Sequence, residues 1–215
     1  MGKNGKYLFN MLYLFWVLCD GGEQMIDFLC KLTLKKLSEN NIIKEGDMEV
    51  YEYGLTLLIG TIGKIIGFIV IGLLTGLIKE VYIFLIFFSG LRLQAGGYHA
   101  KTALNCFLGS LAVMGVAIIL VKILPVDYQP VFNLLSIIIS IFLVFQFSPQ
   151  ESENKPLTEE EKLLYRKRSI FAVIIASTLV LFLVKKGENY LYFASIASMG
   201  ILLESLSLLD FKKII

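Results

Sequence analysis

Residues Leu55–Ile78 read LTLLIGTIGKIIGFIVIGLLTGLI, a run of 24 residues whose only charged side chain is Lys64. A helix needs about 20 apolar residues to cross the hydrocarbon core of a bilayer, which is about 30 Å thick. Because backbone groups in lipid must find their hydrogen bonds within the segment, such a run predicts a helix. The stretch therefore predicts a transmembrane helix, and with it a membrane protein.

Five further apolar runs lie along the chain. Three of them, Ala103–Leu124, Pro130–Phe147 and Tyr190–Leu209, have 22, 18 and 20 residues and predict three more spans. The other two, Val81–Leu93 and Ile170–Val184, are shorter, and each predicts a tilted span, a half-helix or a re-entrant segment. We therefore expect an all-α, polytopic integral membrane protein with about six transmembrane or partly re-entrant helices and an N-terminal amphipathic helix.

The composition excludes several classes of protein. Among 215 residues, 56% are hydrophobic and 18% are charged, with a mean hydropathy of +0.73, so neither a soluble globular domain nor a disordered chain fits. The net charge of +2 is too small to indicate a nucleic-acid partner. One histidine and three widely spaced cysteines form neither a multi-histidine metal site nor a zinc or disulfide framework. We expect no metal and no cofactor.

The chain divides into three predicted regions. Residues 1–24 resemble an N-terminal extension, because the apolar run Tyr7–Cys19 is too short to span and no signal-cleavage pattern follows it. Residues 25–52 hold an amphipathic helix that either packs on the membrane domain or lies in the inner-leaflet interface. Residues 53–210 form the membrane domain.

Lysine and arginine placement predicts the orientation. With a cytoplasmic N-terminus and six crossings, 15 of these side chains fall inside and 4 outside. Positive charge collects on the cytoplasmic side of bacterial membrane proteins, so this arrangement is favoured. The cell membrane is the expected location, with lipid as a partner.

Glycine pairs and a polar helix start mark two other segments. Gly63 with Gly67, and Gly72 with Gly76, let helix backbones approach closely, either within the chain or across a homodimer. Thr158 followed by Glu161 is the pattern of a capping box and predicts the start of a basic helix.

The segment GLRLQAGGYHAKTALNC, residues 90–106, carries the candidate chemistry. It contains His99, the single histidine, and Cys106, a thiol at the start of an apolar run. An imidazole is the usual base that turns a thiol into a nucleophilic thiolate. On one continuous helix the two residues would be about 10.5 Å apart along the axis, so a catalytic pair requires a break, which Gly96-Gly97 permits.

The same residues, Arg92-Leu-Gln-Ala-Gly96-Gly97-Tyr98-His99-Ala with Cys106 seven positions after His99, resemble the accessory gene regulator B (AgrB) family. Tyr53-Gly54-Leu55, Ser148-Pro149, Asn154-Lys155-Pro156, Arg166-Lys167-Arg168 and Gly200-Ile-Leu-Leu-Glu204 resemble other parts of that family in the same order. These proteins are membrane cysteine endopeptidases of Gram-positive quorum sensing. The likeness covers about residues 25–210.

The resemblance implies the reaction. Cys106 would attack a carbonyl of an AgrD-like propeptide at the cytoplasmic face, with His99 as general base and then acid. A cysteine or serine within the peptide would then displace the enzyme and close a thiolactone or lactone ring. The alternative from the residues alone is a small transporter or peptide exporter, since glycine-rich helices with charges inside the membrane are typical of transporters.

Four more residues are candidate substrate-binding or supporting groups: Arg92, Gly96, Gly97 and Glu204. Glu204 lies in an apolar run, where a carboxylate is costly and therefore functional or paired. Its predicted partners are Lys64, as a structural ion pair, or His99, as the group that orients the base; Gln94 and Asn105 are nearer to His99 in sequence. Arg92 is a candidate to bind the propeptide or lipid headgroups, or simply to set the topology.

Overall fold

A computed structural model describes residues 27–39, 43, 48–96, 103–150 and 157–209 of the chain. Most of these residues are helical, and none of the described residues lies in a strand. The helices are α1 at 27–39, α2 Met48–Thr75, α3 Ile78–Ala95, α4 Ala103–Ile123, α5 Gln129–Phe147, α6 Glu159–Lys185 and α7 Glu188–Ser207, with a 3-10 turn at Val126–Tyr128. The expected all-α class is confirmed.

The described residues divide into two compact units. The first contains α1, α2 as far as Phe68 and residues 103–107, and the second contains the described residues from Ile69 onward apart from those five. Helix α2 crosses the proposed boundary at residues 52 and 53 without a break. The division into an extension, an amphipathic region and a membrane domain stays a prediction, and residues 1–24 lie outside the described ranges.

In the second unit, α3, α5 and α7 run in the same direction and α6 runs against them. The Tyr192 hydroxyl donates a hydrogen bond to the Glu80 carboxylate near the starts of α3 and α7. The Arg92 guanidinium donates to the Glu204 carboxylate near the ends of the same two helices. The nitrogen of Gln150, just after α5, donates to the oxygen of Ala95 at the end of α3. The Arg166 guanidinium, early in α6, donates to the oxygen of Phe145, late in α5. The C-terminal ends of α3, α5 and α7 therefore share one end of the unit with the start of α6.

The second unit has an apolar outside and a partly polar inside. Large apolar side chains are exposed on every helix, among them Tyr82, Ile119, Phe142, Phe171 and Phe182, while buried serines lie on α5, α6 and α7. Four helical stretches in the described chain are long and apolar enough to cross a bilayer: Val50–Thr75, Val126–Phe147, Glu159–Lys185 and Glu188–Ser207. This is the polarity expected of a membrane protein.

Helix α6 is longer than its apolar run indicates. The run Ile170–Val184 suggested a short element, but the helix begins at Glu159 and has 27 residues. Its start is the predicted capping box: the Thr158 hydroxyl accepts from the nitrogen of Glu161, and the Glu161 carboxylate accepts from the nitrogen of Thr158. The polar first turns therefore belong to the same helix as the apolar run, and α6 has the length of a full span.

The other short run and the run that contains Cys106 also lie in helices. Val81–Leu93 lies in α3, whose 18 residues give a length of about 27 Å. Helix α4 has 21 residues, with the shorter apolar stretch Phe107–Ile123 inside it. Because α3 and α4 were not among the four spanning stretches, the number of crossings stays a prediction.

One glycine pair has a role within the chain. Helix α2 ends at Thr75, and Gly76, at φ +71°, forms the turn into α3. A Cβ at Gly72 would lie 3.0 Å from the Cδ1 of Ile78, so this glycine lets the first turn of α3 fold closely against α2. The pair Gly72–Gly76 therefore supports packing within one chain, whereas a Cβ at Gly63 would meet no atom within 4 Å.

Helix α1 packs on the first turns of α2. Cys30 and Leu34 are buried in a small cluster that includes Leu55 and Ile59. The Thr56 hydroxyl donates to the Cys30 sulfur at 3.5 Å. The row of α1 that packs in this cluster follows Cys30, Leu34 and Leu37 at helical spacing, whereas Leu29 is exposed.

Candidate active site

The candidate catalytic segment lies between two separate helices. Helix α3 ends at Ala95, and Gly96 leaves the helix with φ +80° and ψ −145°. Helix α4 begins at Ala103, so the backbone of Cys106 lies in its first turn. The predicted break before Cys106 is confirmed at Gly96. Gly97 and His99 lie outside the described residues, as does the side chain of Cys106, so their mutual geometry stays a prediction.

The end of α3 is held against the segment that follows α5. Gln150 donates from its backbone nitrogen to the oxygen of Ala95 at 2.9 Å. A Cβ placed on Gly96 would collide with the backbone oxygen of Gln150. Glycine is therefore needed at position 96 for two reasons: its backbone angles disfavour other residues, and the backbone of Gln150 lies too close to leave room for a side chain. The contact fixes the point from which the chain departs toward His99.

Replacing Gly96 by alanine should destabilise the protein by about 1–3 kcal/mol, because alanine is strained at this φ and its methyl group meets Gln150. The matched control is Gly90→Ala, five residues before the end of the same helix, where a Cβ would have no neighbour within 4 Å. That control should be neutral or stabilising by up to about 1 kcal/mol. Equilibrium unfolding in mixed detergent micelles measures both, and equal effects would contradict the role given to Gly96.

The predicted supporting residues Arg92 and Glu204 form an ion pair. The Arg92 Nη1 donates to the Glu204 Oε2 at 3.0 Å. The Glu204 side chain is fully buried, and the Arg92 side chain is 24% exposed. The guanidinium also lies 5.7 Å from the centre of the Phe88 ring. The sequence favoured Lys64 as the charge partner of Glu204, and the structure gives Arg92.

Helices α3 and α7 approach closely beside this ion pair. Gly200, one turn before Glu204, lies against the backbone of α3, where a Cβ would be 3.2 Å from the oxygen of Phe84. The absent side chain lets the two helix axes come near enough for Arg92 to reach the buried carboxylate. The pair and the glycine contact together hold the last turns of α3, the helix that leads into the His99 segment.

No local pattern in the sequence predicts that Arg92 pairs with Glu204, because the two residues are far apart along the chain. Arg92 and Glu204 are 112 residues apart, and only their lone positions in apolar helices hint that each needs a partner. Gln94 is near them, and its side-chain oxygen is buried without a hydrogen-bond partner among the described residues. The same part of the chain contains no cluster of three or more His, Cys, Asp and Glu placed to hold a metal ion.

Comparison with known proteins gives one family. A model of accessory gene regulator B matches residues 30–208. An AgrB-like protein of Clostridium perfringens is 31% identical over 152 residues, which cover 68% of this chain and 71% of that protein. An AgrB-like protein of Listeria innocua is 30% identical over 161 residues, covering 74% of this chain and 75% of the relative.

A third relative covers more of the chain at lower identity. Protein FsrB of Enterococcus faecalis is 23% identical over 189 residues, or 88% of this chain and 74% of FsrB. No solved structure matches this chain. The family match spans most of the helices described above, including the ion pair and the helix break at Gly96. This protein therefore belongs to the accessory gene regulator B family, whose members take part in processing the peptides of quorum sensing.

Proposed function

We propose that the protein is a membrane cysteine endopeptidase that cleaves an AgrD-like propeptide and promotes its ring closure, with Cys106 as nucleophile and His99 as base. The observation that carries the proposal is the helix break. Helix α3 ends at Ala95, where Gly96 leaves it with φ +80°, and Cys106 belongs to a second helix, α4, so the two ends of the candidate segment lie in separate helices.

In the first step His99 takes the proton of the Cys106 thiol, and the sulfur attacks the carbonyl carbon of the scissile peptide bond. The carbon–nitrogen bond breaks, and the leaving amine takes the proton back from His99. The N-terminal part of the propeptide stays on Cys106 as a thioester. The C-terminal part departs as a free peptide.

In the second step a cysteine thiol or serine hydroxyl within the bound peptide attacks the thioester carbonyl. The bond to the Cys106 sulfur breaks, and the sulfur leaves as a thiolate, which recovers a proton. For a thiol the exchange is nearly isoenergetic, so ring closure competes with hydrolysis through proximity and the exclusion of water. A site at the membrane edge favours both.

The position of Cys106 in the first turn of α4 supports its role as nucleophile. The N-terminal end of a helix carries a partial positive charge, which stabilises a thiolate. The first backbone N–H groups of a helix have no partner within it, and those around Cys106 are the nearest donors for the oxyanion of the tetrahedral intermediate.

The distribution of charge supports a multi-pass protein with a cytoplasmic N-terminus and active site. Among the described residues, the end of the second unit where α3 finishes and α6 starts has five basic side chains: Arg92, Lys162, Arg166, Lys167 and Arg168. The opposite ends of α3, α6 and α7 have three: Lys79, Lys185 and Lys186. Positive charge is richer on the cytoplasmic side, so the end that bears Arg92 faces the cytoplasm in this proposal.

Purified protein in liposomes, given a candidate propeptide, should release a C-terminal fragment and a ring-closed product detected by mass spectrometry. A chelator should leave the rate unchanged, because the proposed chemistry uses a thiolate and an imidazole. Intact peptide moved into the lumen without cleavage would instead identify a transporter, the alternative that intramembrane charges and glycine-rich helices allow. Loss of activity with the chelator, restored by a divalent metal, would also contradict the mechanism.

A further inference from the structure

A row of polar side chains is buried along α5. Gln129, Asn133, Ser136 and Ser140 follow at intervals of four, three and four residues, which places them on one face of the helix. All four are buried, and Asn133 is only 1% exposed. The rest of α5 is dominated by apolar residues, so this row differs in polarity from the other faces of a helix with the length of a membrane span.

The polar row begins against α7. The Ser195 Oγ lies 3.5 Å from the Oε1 of Gln129, and this contact sets the register of the two parallel helices. Asn133 lies about 6 Å further along α5, and Ser198 lies about 4.5 Å further along α7. This part of α7 combines the small buried residues Ala194, Ser195, Ala197 and Ser198 with the larger buried side chains of Ile196 and Met199. We refer to Asn133, Ser140 and Ser198 as the α5–α7 seam.

The seam contains polar atoms without partners. Neither the Nδ2 nor the Oδ1 of Asn133 has a hydrogen-bond partner in the described chain, and the same holds for the hydroxyls of Ser140 and Ser198. Ser195 and Ser205 on α7 do have partners, because each hydroxyl donates a hydrogen bond to the backbone oxygen of the residue four positions earlier. An asparagine amide, with two donors and an acceptor of two lone pairs, needs several partners.

Unpartnered amides are costly in a bilayer, where each buried polar group without a hydrogen bond destabilises by several kcal/mol. Buried water typically supplies about three hydrogen bonds to groups of this kind. We propose that the α5–α7 seam binds ordered water molecules within the membrane layer, with Asn133 as their main anchor. The proposal rests on these buried polar atoms and is independent of the proposed enzymatic function.

The test measures exchange of a thiol proton with solvent. In a chain with Cys19, Cys30 and Cys106 replaced by serine, a single cysteine is introduced as Ser198→Cys or Ser140→Cys, changes of one atom. The control is Val144→Cys, one turn after Ser140 on α5 and fully buried among apolar side chains. After transfer to D₂O, infrared spectroscopy follows the conversion of S–H to S–D.

The two seam thiols should exchange at least about ten-fold faster than the thiol at position 144, because exchange requires contact with water. Adding Asn133→Leu to the Ser198→Cys protein should slow exchange by about the same factor, since the anchor of the water is lost. The proposal is overturned if both seam thiols exchange as slowly as the control, or if Asn133→Leu changes nothing. Circular dichroism and gel filtration verify that each variant is folded, and two independent positions protect the test against failure of one.

Discussion

Replacement of Cys106 by alanine is expected to reduce propeptide cleavage to the background rate while the protein remains folded in the membrane. Removing a nucleophile that works as a unit with its base costs about 10⁶-fold in kcat in a serine protease, so we expect a loss limited only by the sensitivity of the assay. The measurement is the rate of fragment release in liposomes. Cleavage at the normal rate by Cys106→Ala would exclude the mechanism.

The controls separate catalysis from folding. Cys30→Ser should retain most activity, because Cys30 is buried between α1 and α2 and serine preserves a polar contact for Thr56. Cys19→Ser should behave likewise. His99→Ala should lose as much activity as Cys106→Ala, and the double variant should lose no more, because the two groups act in one step. Additive losses would mean that His99 does not act on Cys106.

Replacement of Arg92 by leucine is expected to lower the free energy of unfolding by about 3 kcal/mol, because it leaves the fully buried Glu204 carboxylate without its counter-charge. Glu204→Leu should cost less, since the partly exposed Arg92 can turn its guanidinium toward water along its long stem. Unfolding in mixed detergent micelles gives both values. Lys167→Leu, which removes an exposed positive charge from α6, should change stability by about 0.5 kcal/mol or less.

The double variant Arg92→Leu with Glu204→Leu distinguishes an ion pair from two independent effects. Replacing both members of a buried pair by apolar residues is often neutral, so stability should return close to that of the starting protein. A double variant as unstable as the sum of the single variants would show that the pair contributes nothing as a pair. Activity is a separate readout, because the pair also holds the end of α3 from which the chain leads to His99.

The apolar runs predicted the helices because hydrocarbon allows few other structures. Runs such as Pro130–Phe147 agree closely with helix α5, and Thr158 with Glu161 marked the start of α6 through a purely local hydrogen-bond pattern. The length of α6 was missed because its first turns are polar and lie outside the apolar run, although the helix continues through them. The hydropathy of the sequence indicates which residues can lie in lipid, whereas it does not indicate the residue at which a helix begins.

The candidate site was predictable in its local parts only. Glycine at position 96 predicted a helix end, because its backbone freedom is a property of one residue. Its contact with Gln150, and the choice of Arg92 as the partner of Glu204, depend on how α3, α5 and α7 align. The sequence showed that Glu204 needed a partner and favoured Lys64, whereas only the packing of α3 against α7 identifies Arg92.

The ion pair between α3 and α7 has a consequence for biosynthesis. Arg92 is translated 112 residues before Glu204, which corresponds to about 6 to 22 s at elongation rates of about 5–20 residues per second. During that interval α3 carries a charge whose partner has not yet been made. The last helix, α7, therefore supplies the counter-charge that an earlier helix, α3, needs. A nascent chain that is released before Glu204 is translated carries Arg92 without this counter-charge.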